Sequence, residues 1–117
     1  LMTPWPVLEQ RLQSVASADF VTVLYNPKSK KRTEQIIRAQ EIMLEHRSPD
    51  TPVGIVSGAT RSHEAVRLTN LKAMLEEEIG MQTTVIIGNS TTFIFQDKMV
   101  TPRGYAHKYG LSPSPVT

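Results

Sequence analysis

A cluster of positive charge stands out among the residues that could do chemistry. Four of the five residues from Lys28 to Arg32 are basic, and they follow the apolar segment Phe20–Tyr25 and the pair Asn26-Pro27. Ahead of a helix, such a run could bind an anionic ligand, because the free N–H groups of the helix N-terminus add to its positive potential. A solvated loop flank is an alternative. A nucleic-acid partner is not expected, because the run has no interleaved aromatic residues and the net charge is only +2.

Other patterns that carry chemistry are weak in this sequence. There is no GxGxxG or GxxxxGK[ST] phosphate loop, and the three histidines fit no metal-ligand spacing, so no metal site is predicted. Ser57, His63 and Asp97 could be drawn as a triad, but nothing resembles a nucleophile elbow. The absence of cysteine excludes disulfides and thiolate ligands and is compatible with a cytoplasmic setting. No apolar run approaches the roughly 20 residues that span a bilayer, so no membrane contact is expected.

The elements that must position these residues alternate between helix and strand. The sequence predicts helices over Pro6–Ser17, Thr33–His46 and about Leu71–Ile79, strands over Phe20–Tyr25, Val53–Val56, Ala65–Leu68 and Thr84–Ile87, and a hairpin over Phe93–Thr101 at the edge of the sheet. This order predicts an α/β fold, a three-layer sandwich with a mixed sheet of about five strands. One domain is expected over residues 1–105, followed by a tail over residues 106–117.

The apolar run Phe20–Tyr25 is typical of a strand that is buried on both faces of a parallel sheet. Polar loops follow three of the predicted strands, at Asn26-Pro27, at Ser57–Ala59 and at Gly88–Ser90. If the centre of the sheet is parallel, these loops gather at its carboxyl edge, where open α/β sheets bind ligands. The pattern predicts a ligand site there but does not name the ligand.

Single residues of these loops leave alternatives open. Tyr25 could face a ligand or could be the last aromatic residue of the core. Gly58 and Ala59 permit the close backbone approach that a flat ligand needs, and they equally suit a tight turn. Arg61 could bind a carboxylate or could pair with Glu64.

Four blocks of the sequence resemble a known family. They read TPWPVLEQRL, ADFVTVLYNPKSKKR, TPVGIVSGATRSHEAV and TTVIIGNSTTFIFQDKMVTPRGY. Together they extend from about Leu1 to Tyr105 and resemble the C-terminal half of the precorrin-3B C17-methyltransferases, a branch of the tetrapyrrole methylases of cobalamin biosynthesis. The resemblance implies a two-domain enzyme that binds S-adenosylmethionine and a precorrin between its domains. The implied reaction methylates C17 and contracts the macrocycle.

The resemblance also implies partners for this chain. Because it covers only the second domain of the family, a missing N-terminal domain is expected to complete the enzyme, and the chain alone is expected to be inactive. Exposed strand edges and the missing domain make a homodimer the expected assembly. A non-enzymatic anion-binding or regulatory module that kept the fold is the alternative.

Cofactor contacts carry over by position. Tyr25 and Asn26 match the family's pair that contacts the cofactor after the first strand of this domain. Gly58 and Ala59 match the loop whose backbone receives the adenosine part. Thr84 falls where the family places a residue near the adenine.

Substrate contacts are implied for the basic residues, since precorrins carry many carboxylates that Lys and Arg attract. Lys28, Lys30 and Arg61 are the candidates. The segment SGAT that begins at Ser57 stands where the family pattern has Arg-Asn-Ala-Gly, so one charge is lost there. No residue of the chain is an obvious general base, and no catalytic residue is assigned.

Overall fold

A computed structural model of the chain describes residues 4–25, 33–58, 65–80 and 82–103. Helices and strands follow one another much as the sequence predicts, and the α/β class is confirmed. The elements are α1 (Trp5–Ser17), β1 (Thr22–Tyr25), α2 (Thr33–His46), β2 (Pro52–Ser57), β3 (Ala65–Asn70), a short 3₁₀ helix (Met74–Glu76), β4 (Thr83–Ile87), β5 (Phe93–Phe95) and β6 (Lys98–Val100). The predicted tail over residues 106–117 lies outside the described residues.

The main sheet has four strands in the order β1-β4-β2-β3. β4 runs antiparallel to both β1 and β2, and β3 runs antiparallel to β2. β1 and β2 therefore point the same way, as a crossover through α2 requires, but β4 lies between them. The centre of the described sheet is therefore not parallel, and the sheet has four antiparallel-paired strands where the sequence predicts a mixed sheet of about five. The chain reverses between β2 and β3 and then returns along the sheet before β4, so β4 runs in the direction of β3.

One face of the sheet packs against α1 and α2, and the core lies there. Alternate residues of β2 and β4 point to this face, while α2 contributes apolar residues at helical spacing, as the sequence predicts. The buried cluster consists of Ala16, Ile36, Ile42, Met43, Val53, Ile55, Leu71, Met74, Ile79, Val85 and Ile87.

The opposite face of the sheet, here called the outer face, is only partly covered. Thr22 and Leu24 of β1 are buried or half-buried toward the helices, whereas Val23 and Tyr25 point to the outer face. Tyr25 is 74% exposed and Val23 is 41% exposed. The prediction that Phe20–Tyr25 is buried on both faces is therefore wrong, because β1 is an edge strand of the described sheet and its second face is open.

β5 and β6 form a separate two-stranded hairpin. The predicted hairpin is confirmed, but it packs on the outer face instead of extending the edge of the sheet. Met99 Sδ of β6 lies 3.5 Å from the position that a Cβ on Gly54 would take. Gln96 and Asp97 in the turn have φ values of 51° and 62°, the left-handed pair that a tight hairpin turn requires.

The segment between β3 and β4 contains less helix than predicted. Of the helix expected over Leu71–Ile79, only the 3₁₀ turn Met74–Glu76 is present. The backbone becomes extended at Glu77, where Arg67 binds the side chain of Glu77 and the carbonyl of Glu78. These contacts hold the acidic residues against β3, so the helix stops and the chain turns toward β4.

Arg47, which follows α2, connects the end of α1, the segment before β1 and the residue after β4. Its guanidinium donates hydrogen bonds to the carbonyls of Val15, Phe20 and Gly88. The residue is only 7% exposed, and its Nε is a buried atom with no hydrogen-bond partner in the described part of the chain. Burial lowers the pKa of Arg47, and the carboxylate of Asp19 opposes part of this shift.

Candidate functional site

Three predicted cofactor residues lie close together at one edge of the sheet, where β1 and β2 end and β4 begins. Tyr25, the last residue of β1, pairs with Thr84 in β4. Thr84 pairs in turn with Val56 of β2, and Gly58 follows closely after Val56. Neighbouring strands lie about 4.8 Å apart, which places Tyr25, Thr84 and Gly58 within roughly 12 Å of one another. These three residues define what we call the candidate edge.

The candidate edge combines conformations and exposures that suit a flat ligand. Gly58 has a φ of 129°, a backbone conformation that L side chains rarely adopt, and it is exposed. Tyr25 offers a largely exposed ring, and Thr84 is half-buried on the same face. An aromatic face, a hydroxyl and an open backbone are groups that can stack on a planar ring system and hydrogen-bond its edge.

The other predicted site residues lie outside the described residues and remain predictions. They are Asn26, Lys28, Lys30, Ala59 and Arg61.

The third predicted loop does not join the candidate edge. β4 is antiparallel to β1 and β2, so Gly88–Ser90 lies at the other end of the sheet, where Gly88 N donates to the carbonyl of Pro52. The Ser90 amide and hydroxyl both donate to the carboxylate of Asp19. These contacts make Gly88–Ser90 a structural turn, and the expectation that all three loops gather at one edge is wrong.

An apolar groove reaches Tyr25 from the helix side. It has a volume of about 420 Å³ and runs between α1, β1 and α2. Trp5, Leu8 and Leu12 line one wall, and Ile36 lines the other. Its lining suits apolar groups, which distinguishes it from the mixed surface of the candidate edge.

Sequence reasoning missed a polar network beside the candidate edge. Arg67 donates from Nη1 to Ser57 Oγ at 3.0 Å, from Nε to Glu77 Oε1 at 2.9 Å and from Nη2 to the carbonyl of Glu78 at 2.6 Å. A lone arginine inside the strand AVRLTN, followed by the run Glu76–Glu78, was the available signal. The sequence could not reveal that Arg67 also reaches Ser57, because that contact depends on the pairing of β2 with β3.

Within the described ranges, no group of acidic, histidine or cysteine side chains is arranged to hold a metal ion. None of the helices described is long and apolar enough to cross a membrane.

Comparison with known proteins gives three informative similarities. A cobalt-factor III methyltransferase of Priestia megaterium is 58% identical over 111 residues, which are 95% of this chain and 21% of that protein. A probable cobalt-factor III C(17)-methyltransferase of Salmonella typhimurium is 44% identical over 105 residues, or 90% of this chain and 44% of that protein. The crystal structure of the methyltransferase CobJ matches with a TM-score of 0.78 and 32% identity, over 86% of this chain and 42% of that one. No protein-family model matches the chain.

The fold is that of a tetrapyrrole methylase domain, as the CobJ match and the sheet with its packed helices indicate. More closely, the chain is a relative of the cobalt-factor III (precorrin-3B) C17-methyltransferases, and it matches the C-terminal part of these proteins. The resemblance inferred from the sequence is confirmed. The chain spans well under two thirds of the length of the curated relatives that it matches.

Proposed function

We propose that this chain is the C-terminal domain of a cytoplasmic S-adenosylmethionine-dependent methyltransferase of cobalamin biosynthesis. The enzyme methylates C17 of a precorrin-3B-type macrocycle, the cobalt-factor III of its relatives' names, and contracts the ring. The observation that carries the proposal is the meeting of Tyr25, Thr84 and Gly58 at one edge in a chain that is 58% identical to a cobalt-factor III methyltransferase.

The residues present fit the proposed cofactor. The ring of Tyr25 can stack on a planar adenine, Thr84 can hydrogen-bond it, and the exposed backbone of Gly58 allows close approach of a ribose. S-adenosylmethionine supplies a methyl group on a sulfonium centre. This chain contributes binding and orientation, since methyl transfer depends above all on placing donor and acceptor in line.

The substrate is proposed to lie beyond the same edge. Lys28 and Lys30 follow Tyr25 closely in the sequence, and Arg61 follows Gly58. A precorrin carries several carboxylates, and charge-assisted hydrogen bonds from Lys and Arg would hold them next to the methyl donor.

Two partners complete the proposal. An N-terminal domain forms the other wall of the cleft at the candidate edge, which accounts for relatives more than twice as long as the matched region. A second copy of the chain covers the β3 side of the outer face, around Val66, and leaves Tyr25 of β1 open to the cofactor. The strand residues that point to this face are uncharged in the described part of the sheet, while Asp97 and Lys98 at the hairpin carry opposite charges that a two-fold partner can match.

Calorimetric titration with S-adenosylhomocysteine tests the cofactor assignment. Tyr25→Ala should weaken binding by about tenfold, because it removes the stacking surface. Phe20→Ala is the matched control, since Phe20 is also an exposed aromatic residue but precedes β1 at its far end. The proposal fails if the wild-type chain does not bind, or if both variants bind as tightly as the wild type.

The chain alone should transfer no methyl group, because only one wall of the cleft is present. Incubation with S-adenosylmethionine and the macrocycle, followed by mass spectrometry, checks this expectation. Methylated product from the isolated chain would contradict the two-domain proposal.

A further inference from the structure

Arg67 holds the end of β2 from the helix side of the sheet. Its side chain lies diagonally across from Ser57, because Arg67 pairs with Ile55 and Ser57 pairs with Ala65. Ser57 is the last residue of β2, and Gly58 follows it directly. The contact from Arg67 to Ser57 therefore acts on the residue that precedes the unusual backbone of Gly58.

The same side chain anchors this end of β2 to a second segment. Arg67 binds the carboxylate of Glu77 and the carbonyl of Glu78, which belong to the return segment that leads to β4. The planar guanidinium fork holds its donors in a fixed geometry, so it can bind acceptors on separate segments at once with less loss of conformational freedom than a lysine ammonium. Arg67 thus fixes the distance between the end of β2 and the segment that leads to β4.

Arg38, which pairs with Glu9, Glu41 and Glu45, gives a comparison with Arg67. Arg38 and Glu9 join the two helices at 3.1 Å, and their side chains are 34% and 33% exposed. Arg67 and Glu77 are equally exposed, at 32% and 30%, and lie 2.9 Å apart. The two arginines differ in their further partners, since Arg38 binds only carboxylates in the described chain, whereas Arg67 also binds Ser57 and a backbone carbonyl.

We propose that Arg67 is a positioning residue for the cofactor, which it does not touch itself. By clamping Ser57 to Glu77 and Glu78, it keeps Gly58 in the conformation that presents its backbone to the ligand. Glycine has more conformational freedom than other residues, so without a clamp this position would sample other conformations and bind less well. The inference rests on the proposed cofactor site.

The test compares Arg67→Met with Arg38→Met in the 117-residue chain. Each variant removes one arginine of an equally exposed ion pair, and thermal unfolding of both variants is measured so that affinities are compared for folded protein. Arg67→Met should weaken S-adenosylhomocysteine binding by about tenfold and speed hydrogen exchange at the Gly58 amide. Arg38→Met should change neither, Ser57→Ala should reproduce the loss of affinity, and Arg67→Lys should recover part of it.

The possible failures can be told apart. If Arg67→Met and Arg38→Met both bind like the wild type, Arg67 has no positioning role, although the cofactor site stands. If Arg67→Met loses affinity only in proportion to a loss of folded protein, the role is purely structural and the inference is overturned. If the wild-type chain does not bind S-adenosylhomocysteine, the proposed function fails and the cofactor role of Arg67 fails with it.

Discussion

At the scale of single residues, two glycines mark opposite ends of the sheet for different reasons. Gly58 is needed for its backbone conformation at the candidate edge. Gly88 is needed for space, because a Cβ there would lie 2.6 to 2.7 Å from three side-chain atoms of Thr92. Thr92 cannot easily move aside, since it is buried and its hydroxyl bonds to Thr101 and accepts from the Asn89 amide.

Gly88→Ala should therefore destabilise the protein by about 2 kcal/mol, the usual cost of forcing atoms into a packed site. Urea denaturation measures the change in the free energy of unfolding. Gly80→Ala is the control, because a Cβ at Gly80 would meet its nearest neighbour at 3.9 Å. Equal stability of the two variants would show that Thr92 can move and that the packing argument is wrong.

At the scale of elements, Arg47 connects α1, α2 and β4 through backbone carbonyls. Arg47→Met keeps most of the side-chain volume but leaves these buried acceptors without their charged donor. We expect a loss of about 3 kcal/mol in the free energy of unfolding, in line with hydrogen bonds to charged groups. Arg11→Met, at an exposed position of α1, is the control and should change the free energy of unfolding by less than about 0.5 kcal/mol. A loss below about 1 kcal/mol for Arg47→Met would contradict the proposed structural role.

The turn between β5 and β6 offers a gain in stability. Gln96 and Asp97 both have positive φ, which costs free energy for residues with a side chain. Replacing them with Asn and Gly, the favoured pair for such a turn, should raise the free energy of unfolding by roughly 0.5 to 1 kcal/mol. Thermal unfolding measures this as a rise of a few degrees in Tm, whereas Ser14→Gly inside α1 should lower Tm. A lower Tm for the turn variant would show that the turn geometry is not the left-handed pair.

Element positions could be predicted from the sequence, but their pairing could not. The apolar spacing of α2 and the apolar run of β4 depend on local geometry, and both elements lie where the pattern predicts. The direction of β4 depends on how the chain returns after β3, where Arg67 binds Glu77 and Glu78, and on the pairing of β4 with β1 and β2, which are distant from it in sequence. For the same reason Tyr25 and Thr84 were predicted as separate candidates, whereas their register could not be predicted.

At the scale of the whole molecule, the β3 side of the outer face has an exposed apolar surface that a second copy is proposed to cover. Val66 on this face is 64% exposed, and Val66→Lys should keep the chain monomeric, because a buried interface would have to accept a charge. Leu44→Lys is the control, since Leu44 is 37% exposed on α2, away from the outer face. Sedimentation should find dimers for the wild type and for Leu44→Lys. A wild-type chain that stays monomeric, or a Val66→Lys variant that still dimerises, would contradict the proposed interface.

The central claim is that Tyr25, Gly58 and Thr84 form the cofactor edge, and amide chemical-shift mapping with S-adenosylhomocysteine tests it most directly. We predict saturable shifts concentrated at these residues and at Ser57, with little change at Gly88–Ser90 on the opposite end of the sheet. Arg67→Met should reduce the shifts at Gly58 at the same ligand concentration. Saturable shifts confined to any other part of the chain, or none up to the highest soluble ligand concentration, would contradict the account.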